Sequence, residues 1–431
     1  MAVGGGVLMI DTLRLTIPCT FFPDDAVAWL MRLQHKISKT NFTGDLVDWC
    51  ISSGLEIPSW FDGFSLSIGS RVTLEASPKI YQGHNVTGSD DLVVSARRLV
   101  DYVFGTILNL VSWPDGSLWY VARVDVTYNY DFPTFQALDV WMDTVLGVQR
   151  GQRRAGVEER ADEIETRPMS CDAMPSGRTI YLGKGSRYRV GKIYCKGRDL
   201  KAHPPKCVNT FPEIVDELAQ EFASVGRFEL QIRALAISRN AVKYGLLPAH
   251  FADLLPGVFA DNASKYLQDI GITPLHSRNK KQPIVYFPVH YLSKHLHLPD
   301  LWDAEFRHLF STEAAMTDDT LLSSLIQHAP NAARAQRAFD FYQRIRTLGF
   351  VQAKKMVSKS SFYNHRRLLN AAGVSDAMMQ DGTALIRVPV DPIKVRLWNP
   401  NSDRLRLVEA THAAMQAGNI SRLHAEVFKA A

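Results

Sequence analysis

Cysteine is scarce and scattered in this chain. The five cysteines, Cys19, Cys50, Cys171, Cys195 and Cys207, are odd in number and form no Cys-x-x-Cys pair. That spacing argues against a structural zinc site or a disulfide framework, and a reducing cytoplasm is the expected setting. Long apolar runs are also lacking. The most apolar stretch, residues 99–111, is too short to cross a bilayer and contains Asp101, so no membrane span is expected. Three catalytic signatures are missing. Gly183-Lys184-Gly185-Ser186 does not complete a phosphate-binding Gly-x4-Gly-Lys-Ser/Thr loop. No Gly-x-Gly-x-x-Gly opens a helix after a strand, and no Gly-x-Ser-x-Gly elbow is present. These absences set aside P-loop nucleotidases, dinucleotide enzymes and α/β-hydrolases. The N-terminal residues lack a basic region and a cleavable signal pattern. Gly4-Gly5-Gly6 reads as a flexible leader, with the fold expected to begin at Met9.

What is present is a chain of 431 residues, 46% hydrophobic and 22% charged, enough for two or three domains with ordinary cores. The net charge of +5 is modest, so where the positive charge sits matters more than its total. Residues 178–201 concentrate it. They hold Tyr181, Tyr188 and Tyr194 among eight Lys/Arg side chains and one acid, Asp199. Lys192-Ile193-Tyr194-Cys195-Lys196 alternates polar and apolar, and a strand would place Lys192, Tyr194 and Lys196 on one face. A tyrosine between two cations suits a phosphate. The cations lower the cost of a phenolate, whose ordinary pKa is about 10, and offset charge building on phosphorus. The same pattern also fits a surface strand whose tyrosine only packs.

Strand-like alternation recurs at residues 10–17, at 65–77 as a hairpin, at 119–130 and at 226–234. Helices are expected at 25–39, 91–111, 135–146 and 211–225. Residues 149–175 read as a mobile connection rich in charge. Strands interleaved with helices, without a regular βαβ period, predict an α+β domain with a mainly antiparallel sheet over residues 9–245. Residues 246–400 are expected to be mainly helical, with an extended piece at 384–397, and residues 401–431 to form a C-terminal tail.

Four polar stretches could converge on one site. Arg123, Asp125 and Thr127 share a strand face, as do Arg227, Glu229, Gln231 and Arg233. Gln82-Gly83-His84-Asn85 is a polar loop, and Lys192, Tyr194 and Lys196 form the fourth element. Asp125, Glu229 and His84 would suit one divalent ion, Mg²⁺ or Mn²⁺, with Glu75 a weaker candidate. Such an ion would polarise a phosphoryl oxygen. Cross-strand ion pairs and a solvated histidine account for the same residues without chemistry. A second signal lies in residues 331–370, where nine Lys/Arg face one acid, a net of +8. Residues 350–370 read as helix, turn, helix, with Ser358 or Ser360 capping the second helix. Its Tyr363, Asn364, His365, Arg366 and Arg367, with Lys354, Lys355 and Lys359 nearby, have the composition of a DNA recognition helix.

These stretches resemble the gene II type replication initiator of filamentous bacteriophages, a nicking-joining endonuclease, and more distantly plasmid rolling-circle initiators. The resemblance rests on MIDTLRLTIP (9–18), EASPKIYQGHNVTG (75–88), RVDVTYNYDFP (123–133) and SRYRVGKIYCKGRDL (186–200). It continues through GRFELQIRALAISRNAVKYGLLP (226–248), FYQRIRTLGF (341–350) and LIRVPVDPIKVRLWNP (385–400). It implies a sequence-specific, metal-dependent endonuclease of the host bacterial cytoplasm that nicks one strand at a double-stranded origin and leaves a 3′-OH. It would later rejoin the displaced single strand. Host helicase and polymerase are the implied partners, and oligomers on DNA are possible. The resemblance assigns Tyr194 as nucleophile, with Tyr188 and Tyr181 as runners-up, and Lys192 and Lys196 beside it. Asp125, Glu229 and His84 fall at the implied metal positions. Arg123, Arg227, Arg187 and Arg189 join the helix-turn-helix as implied DNA contacts. The His-hydrophobic-His motif usual in the wider initiator superfamily is absent near the N-terminal strands; that spelling occurs only at His295-Leu296-His297. A non-catalytic origin-binding or transcription-regulating protein is the alternative function. A conjugative relaxase is less well matched because no helicase half follows.

Overall fold

The structure is a computed structural model. It describes residues 8–33, 36–40, 46–51, 63–84, 87–146, 149–150, 153–158, 179–183, 185–204, 212–252, 254, 256–277, 283–306, 318–374, 379 and 402–425. Its strands are β1 (Met9–Pro18), β2 (Lys36–Thr40), β3 (Leu46–Ile51), β4 (Phe64–Ile68), β5 (Arg71–Ala76), β6 (Tyr120–Asp131), β7 (Gln149–Arg150), β8 (Arg153–Glu158), β9 (Thr179–Leu182), β10 (Arg189–Cys195) and β11 (Val225–Arg233). Nine of them make the central sheet among the described residues, in the order β4-β5-β1-β6-β11-β10-β9-β8-β7. Every pairing in it is antiparallel. Strands β2 and β3 form a separate hairpin, and two further two-residue strands, β12 (Leu275–His276) and β13 (Val285–Tyr286), pair with each other. The expected α+β class with an antiparallel sheet is what the chain adopts.

Alternation fixes the two faces of this sheet. Val124, Val126, Phe228, Leu230 and Ile193 face an apolar layer and are fully buried. The register places their neighbours Asp125, Thr127, Glu229, Lys192 and Tyr194 on the other face. Helix α1 (Asp24–Arg32) precedes the first hairpin, and α2 (Leu92–Val100) runs on into a π-helical turn at Asp101–Ile107. The α2 cap is local chemistry. The Asp91 carboxylate accepts from the amides of Val93 at 2.7 Å and Val94 at 3.0 Å. Helix α3 (Phe135–Leu146) has the expected bounds, and α4 (Lys196–Ala202) and α5 (Pro212–Glu221) bridge β10 to β11.

Four sequence expectations change. The helix expected over 25–39 stops at Arg32, and residues 36–40 are a strand. Lys-Ile-Ser-Lys-Thr alternates and finds a partner in β3, with Ile37 opposite Cys50; a window along one strand cannot see that partner. The connection expected over 149–175 contributes two short strands to the sheet edge. Strand β10 ends at Cys195, so Lys196 reaches the polar face from the first turn of α4, beside Arg227 and Asp11, and not from the strand that carries Lys192 and Tyr194. The apolar core also does not stop at residue 245. Helix α6 (Ala234–Arg239) leads to α7 (Pro256–Asp269), α8 (Val289–His295) and α9 (Leu298–Phe306), whose Val289, Leu292, Trp302 and Phe306 belong to the sheet's own core. The extended piece expected at 384–397 lies outside the described residues.

Helices α10 (Asp318–His328), α11 (Ala332–Leu348), α12 (Phe350–Lys355) and α13 (Lys359–Ala371) close around a second core that includes Leu325, Phe341, Ile345, Phe362 and Leu369. Helix α13 is capped by Ser358, whose hydroxyl accepts from the Ser361 amide at 3.2 Å. Ser402–Leu423, inside the segment expected to be a tail, forms a helix that returns to the sheet domain.

The core beyond residue 245 is testable at Trp302. Its ring packs on Tyr128, Tyr130, Phe228 and Phe306, and its Nε1 donates to the Phe228 carbonyl at 3.0 Å. Trp302→Ala is expected to cost about 3–5 kcal/mol in a urea unfolding titration. A loss under about 1 kcal/mol would mean that α9 is not part of the sheet's cooperative core.

Candidate active site

The polar face of the central strands is both charged and buried. Asp125 and Arg227 are 0% exposed, Lys196 is 1% and Glu229 is 4%. Buried charges of this kind persist only when neutralised locally, and each has a partner. Lys192 lies opposite Glu229 in the β10–β11 register, and its ammonium donates to the Glu229 carboxylate at 2.5 Å. Tyr194 lies opposite Arg227, with its hydroxyl 3.5 Å from the other Glu229 oxygen. Arg123 forks onto both oxygens of Asp125 and reaches Glu75 at 2.7 Å. Lys196, from the first turn of α4, pairs with Asp199 at 2.6 Å.

A further group completes the arrangement. The β1–β6 register shifts between Ile10 and Thr12, so Asp11 is the extra residue of a bulge. Its carboxylate accepts from Lys79 at 2.9 Å and lies 3.5 Å from the Arg227 guanidinium. Burial works against the Asp11 charge, but Lys79 and Arg227 hold its carboxyl well below the usual range. Burial pulls Lys79 down to about 8 against the attraction of Asp11. Burial raises Tyr194 well above the ordinary phenol, although the Arg227 charge favours the phenolate. Burial also pushes Asp125 up to about 7, despite Arg123 and helped by the nearby Glu229 charge.

The structure thus brings Tyr194, Lys192, Glu229, Arg227, Asp125 and Arg123 onto one face. Tyr181, opposite Lys192, shares it. Four expected neighbours lie elsewhere. His84 is buried against the C-terminal helix, its Nε2 3.1 Å from Glu409. Arg189 lies opposite Ile232 on the apolar face and pairs with Glu305 at 3.2 Å. Arg187 is exposed, and Tyr188 is exposed in the turn before β10. The electrostatic neighbour of the Tyr194 hydroxyl is Arg227, expected as a DNA contact, rather than the flanking lysines, which are occupied by Glu229 and Asp199.

The expected metal site does not assemble. Among the described residues no group of three His, Cys, Asp or Glu side chains is placed to hold an ion. Asp125 and Glu229 remain adjacent, but each is neutralised by a cation, and His84 is bound to Glu409. This donor set does not fit a resident divalent ion as it stands.

Sequence reasoning missed Asp11, Lys79 and the C-terminal helix. Asp11 left a faint signal: the consecutive polar pair Asp11-Thr12 interrupts the alternation of β1 and marks the bulge. The helix left none, because its contacts lie far away in the chain, more than 300 positions for those to the loop of His84. Its His412 Nε2 lies 3.0 Å from the Ile80 carbonyl. Gly83 has φ +72, and a Cβ there would come within 2.5 Å of His412. Val408 and Met415 pack on Leu200, Leu218, Phe222 and Val225. The helix therefore ties the Gln-Gly-His loop to the α4–α5 pair.

In the helical region Lys354, Lys355, Lys359, Tyr363, Asn364 and Arg367 are exposed. His365 stacks on Phe341 with ring centroids 5.2 Å apart, so it packs rather than projects, and Arg366 is half-buried.

Comparison with known proteins places these features in context. A family model described as the N-terminal part of the phage gene II replication-associated protein matches residues 9–246, more than half of the chain. The replication-associated protein of Enterobacteria phage f1 is 24% identical over 374 residues, covering 81% of this chain and 82% of that protein. Its counterpart in Salmonella phage IKe is 22% identical over 350 residues, covering 75% and 74%. A solved rolling circle replication initiator protein from Geobacillus stearothermophilus covers 69% of this chain and 97% of its own at 13% identity, with a TM-score of 0.28, too loose a likeness to argue from.

The raised Asp125 carboxyl has a signed consequence. Its pKa rises on folding from 3.8 to about 7, so its contribution to stability is full below about pH 4 and is lost as pH rises through 7. Wild type is expected to lose stability relative to Asp125→Asn across that window, measured by urea unfolding at a series of pH values, with no further divergence above it. A difference that is flat across the window, or that grows in favour of wild type, would sink this reading.

Proposed function

The chain belongs to the family of the gene II replication-associated proteins of filamentous phages, and from that premise we propose that it starts rolling-circle replication by nicking one DNA strand through Tyr194. The observation that carries this reading is the placement of the Tyr194 hydroxyl between Glu229 and Arg227 on a buried, charge-paired face.

The Tyr194 oxygen attacks the scissile phosphorus. The new tyrosyl O–P bond replaces the bond from phosphorus to the 3′-oxygen, leaving a 5′-phosphotyrosine. The phenolic proton passes to Glu229 Oε2, and a proton returned to the departing oxygen completes the 3′-OH. Arg227 offsets phenolate charge as the proton leaves. Lys192 and Lys196 receive the phosphate oxygens once the incoming anion competes with Glu229 and Asp199. Run in reverse, with the displaced strand's 3′-OH as attacking group, the same exchange rejoins the strand without a nucleotide triphosphate.

The divalent ion implied by the resemblance, Mg²⁺ or Mn²⁺, would draw on Asp125 and Glu229, both of which are taken up by cations here. Holding it would require Arg123 and Lys192 to release them. Residues 9–245 supply the nicking chemistry in this reading, and the helices up to residue 400 find the duplex origin. Exposed Lys354, Lys355, Lys359, Tyr363, Asn364 and Arg367 form the duplex-facing surface. Among the described residues no helix is long and apolar enough to cross a membrane. The proposed place of action is the host cytoplasm, where host helicase unwinds the duplex and host polymerase extends the 3′-OH.

Supercoiled origin plasmid incubated with Mg²⁺ or Mn²⁺ is expected to be nicked by wild type and left intact by Tyr194→Phe, with a DNA-linked peptide mapping to Tyr194 by mass spectrometry. Continued nicking by Tyr194→Phe would reassign the nucleophile. Binding without nicking under either ion would favour the origin-binding alternative. Glu229→Gln is expected to slow single-turnover nicking by about 10²–10⁴-fold. Lys359→Ala and Arg367→Ala should each weaken duplex binding and reduce its logarithmic salt slope by about one. An unchanged slope would remove α13 from the interface.

A further inference from the structure

Helix α13 has two unlike sides. Phe362, Leu368 and Leu369 turn into the second core, where the Phe362 ring meets Phe341 at 6.0 Å and Phe350 at 5.8 Å. Ser360, Tyr363, Asn364 and Arg367 follow the i, i+3, i+4, i+7 spacing and lie exposed in one stripe. The packing on the buried side fixes the direction in which this stripe points. Its members differ in chemistry. Arg367 carries a charge that any phosphate attracts, and a serine hydroxyl pairs with several base edges. Asn364 is uncharged, and its amide sets one acceptor beside a donor group. Its side chain has no hydrogen-bond partner among the described residues, so both groups are open to a ligand. It lies in the second turn of a helix that starts at Lys359, within the half of a recognition helix that reaches base edges.

We propose that Asn364 reads one adenine of the duplex origin from the major groove. Nδ2 donates to adenine N7, and Oδ1 accepts from the adenine amino group. This rests on the proposed duplex-facing role of α13 and adds the base which that role selects. Adenine is the base whose major-groove edge sets an acceptor beside an amino donor. Guanine shows two acceptors there, thymine an acceptor and a methyl group, and cytosine an amino donor. The minor groove does not serve, because A·T and T·A pairs show only acceptors in it. The neighbouring cations hold the backbone of any sequence, and the neutral amide makes the choice.

The test uses the full chain and a set of duplex origin fragments, each with one base pair replaced, read by fluorescence anisotropy. Wild type is expected to lose about 5–150-fold in affinity at one A·T pair. It should lose a comparable part when that adenine alone becomes 7-deazaadenine, which keeps base pairing and removes the N7 acceptor. Asn364→Ala should bind the unaltered fragment as weakly as wild type binds the replaced one. It should stop discriminating at that pair and keep discriminating at the others. Its logarithmic salt slope should equal that of wild type, because no charge is removed. A uniform loss on every fragment, or discrimination at every pair as in wild type, overturns the inference. The 7-deazaadenine series needs no variant, and the absence of any N7-sensitive A·T pair overturns the inference by itself. Unchanged salt slopes in Lys359→Ala and Arg367→Ala would sink the duplex-facing role of α13. Slopes that fall in those two variants, while Asn364→Ala discriminates like wild type, overturn the adenine reading alone.

Discussion

A charge on the covered face of a sheet has to be balanced by its immediate neighbours, because water is not there to do it. In this protein the balance turns on Asp11. The bulge in β1 supplies an extra residue at the level of Asp125, and its carboxylate meets Lys79 from the loop after β5 and Arg227 from β11. One side chain thus joins three separate pieces of chain. Removing one member of such a group leaves the others charged and buried, which typically costs about 3–5 kcal/mol. The Gln-Gly-His loop is consequently fixed to the sheet through Lys79 as well as to the C-terminal helix through Ile80 and His84.

The same constraint sets the resting state of Tyr194. Burial keeps its hydroxyl protonated, and Arg227 is the neighbouring charge that favours ionisation. Both candidate phosphate-binding lysines are held by carboxylates. On the proposed reaction, a DNA phosphate is attractive to this face only in exchange for those internal pairs. The exchange frees Glu229 to take the phenolic proton as the phosphate arrives. Substrate binding and activation of the nucleophile then become one event, driven by charge balance rather than by a separately ionised tyrosine.

Two cores divide the labour. The larger one runs from the β-sheet into α9, with Trp302 wedged among the aromatic rings of β6 and β11. The smaller one holds α10 to α13 together and leaves the basic side chains of α12 and α13 in solvent. An apolar centre with a cationic surface keeps the charge of this second unit in water, and on the proposed function that surface meets the duplex. The C-terminal helix is a third kind of element, touching both the loop of His84 and the α4–α5 pair.

By itself the sequence determined the elements whose signals are local. Alternation marked β1, β6, β10 and β11, helical periodicity marked α2 and α3, and the Ser358/Ser360 pair marked the start of α13, with the structure choosing Ser358. The Lys192, Tyr194, Asp125 and Glu229 positions were legible because strand geometry sends every second residue to one face. Tertiary structure alone decided how those faces were neutralised. Lys196 left the strand because β10 ends one residue earlier, His84 went to Glu409 rather than to the carboxylates, and Arg227 became a buried neighbour of Tyr194. The outcomes for His84 and Arg227 depend on partners far away in the chain, and ion pairing is set by distance in space and by burial, neither of which a linear pattern carries.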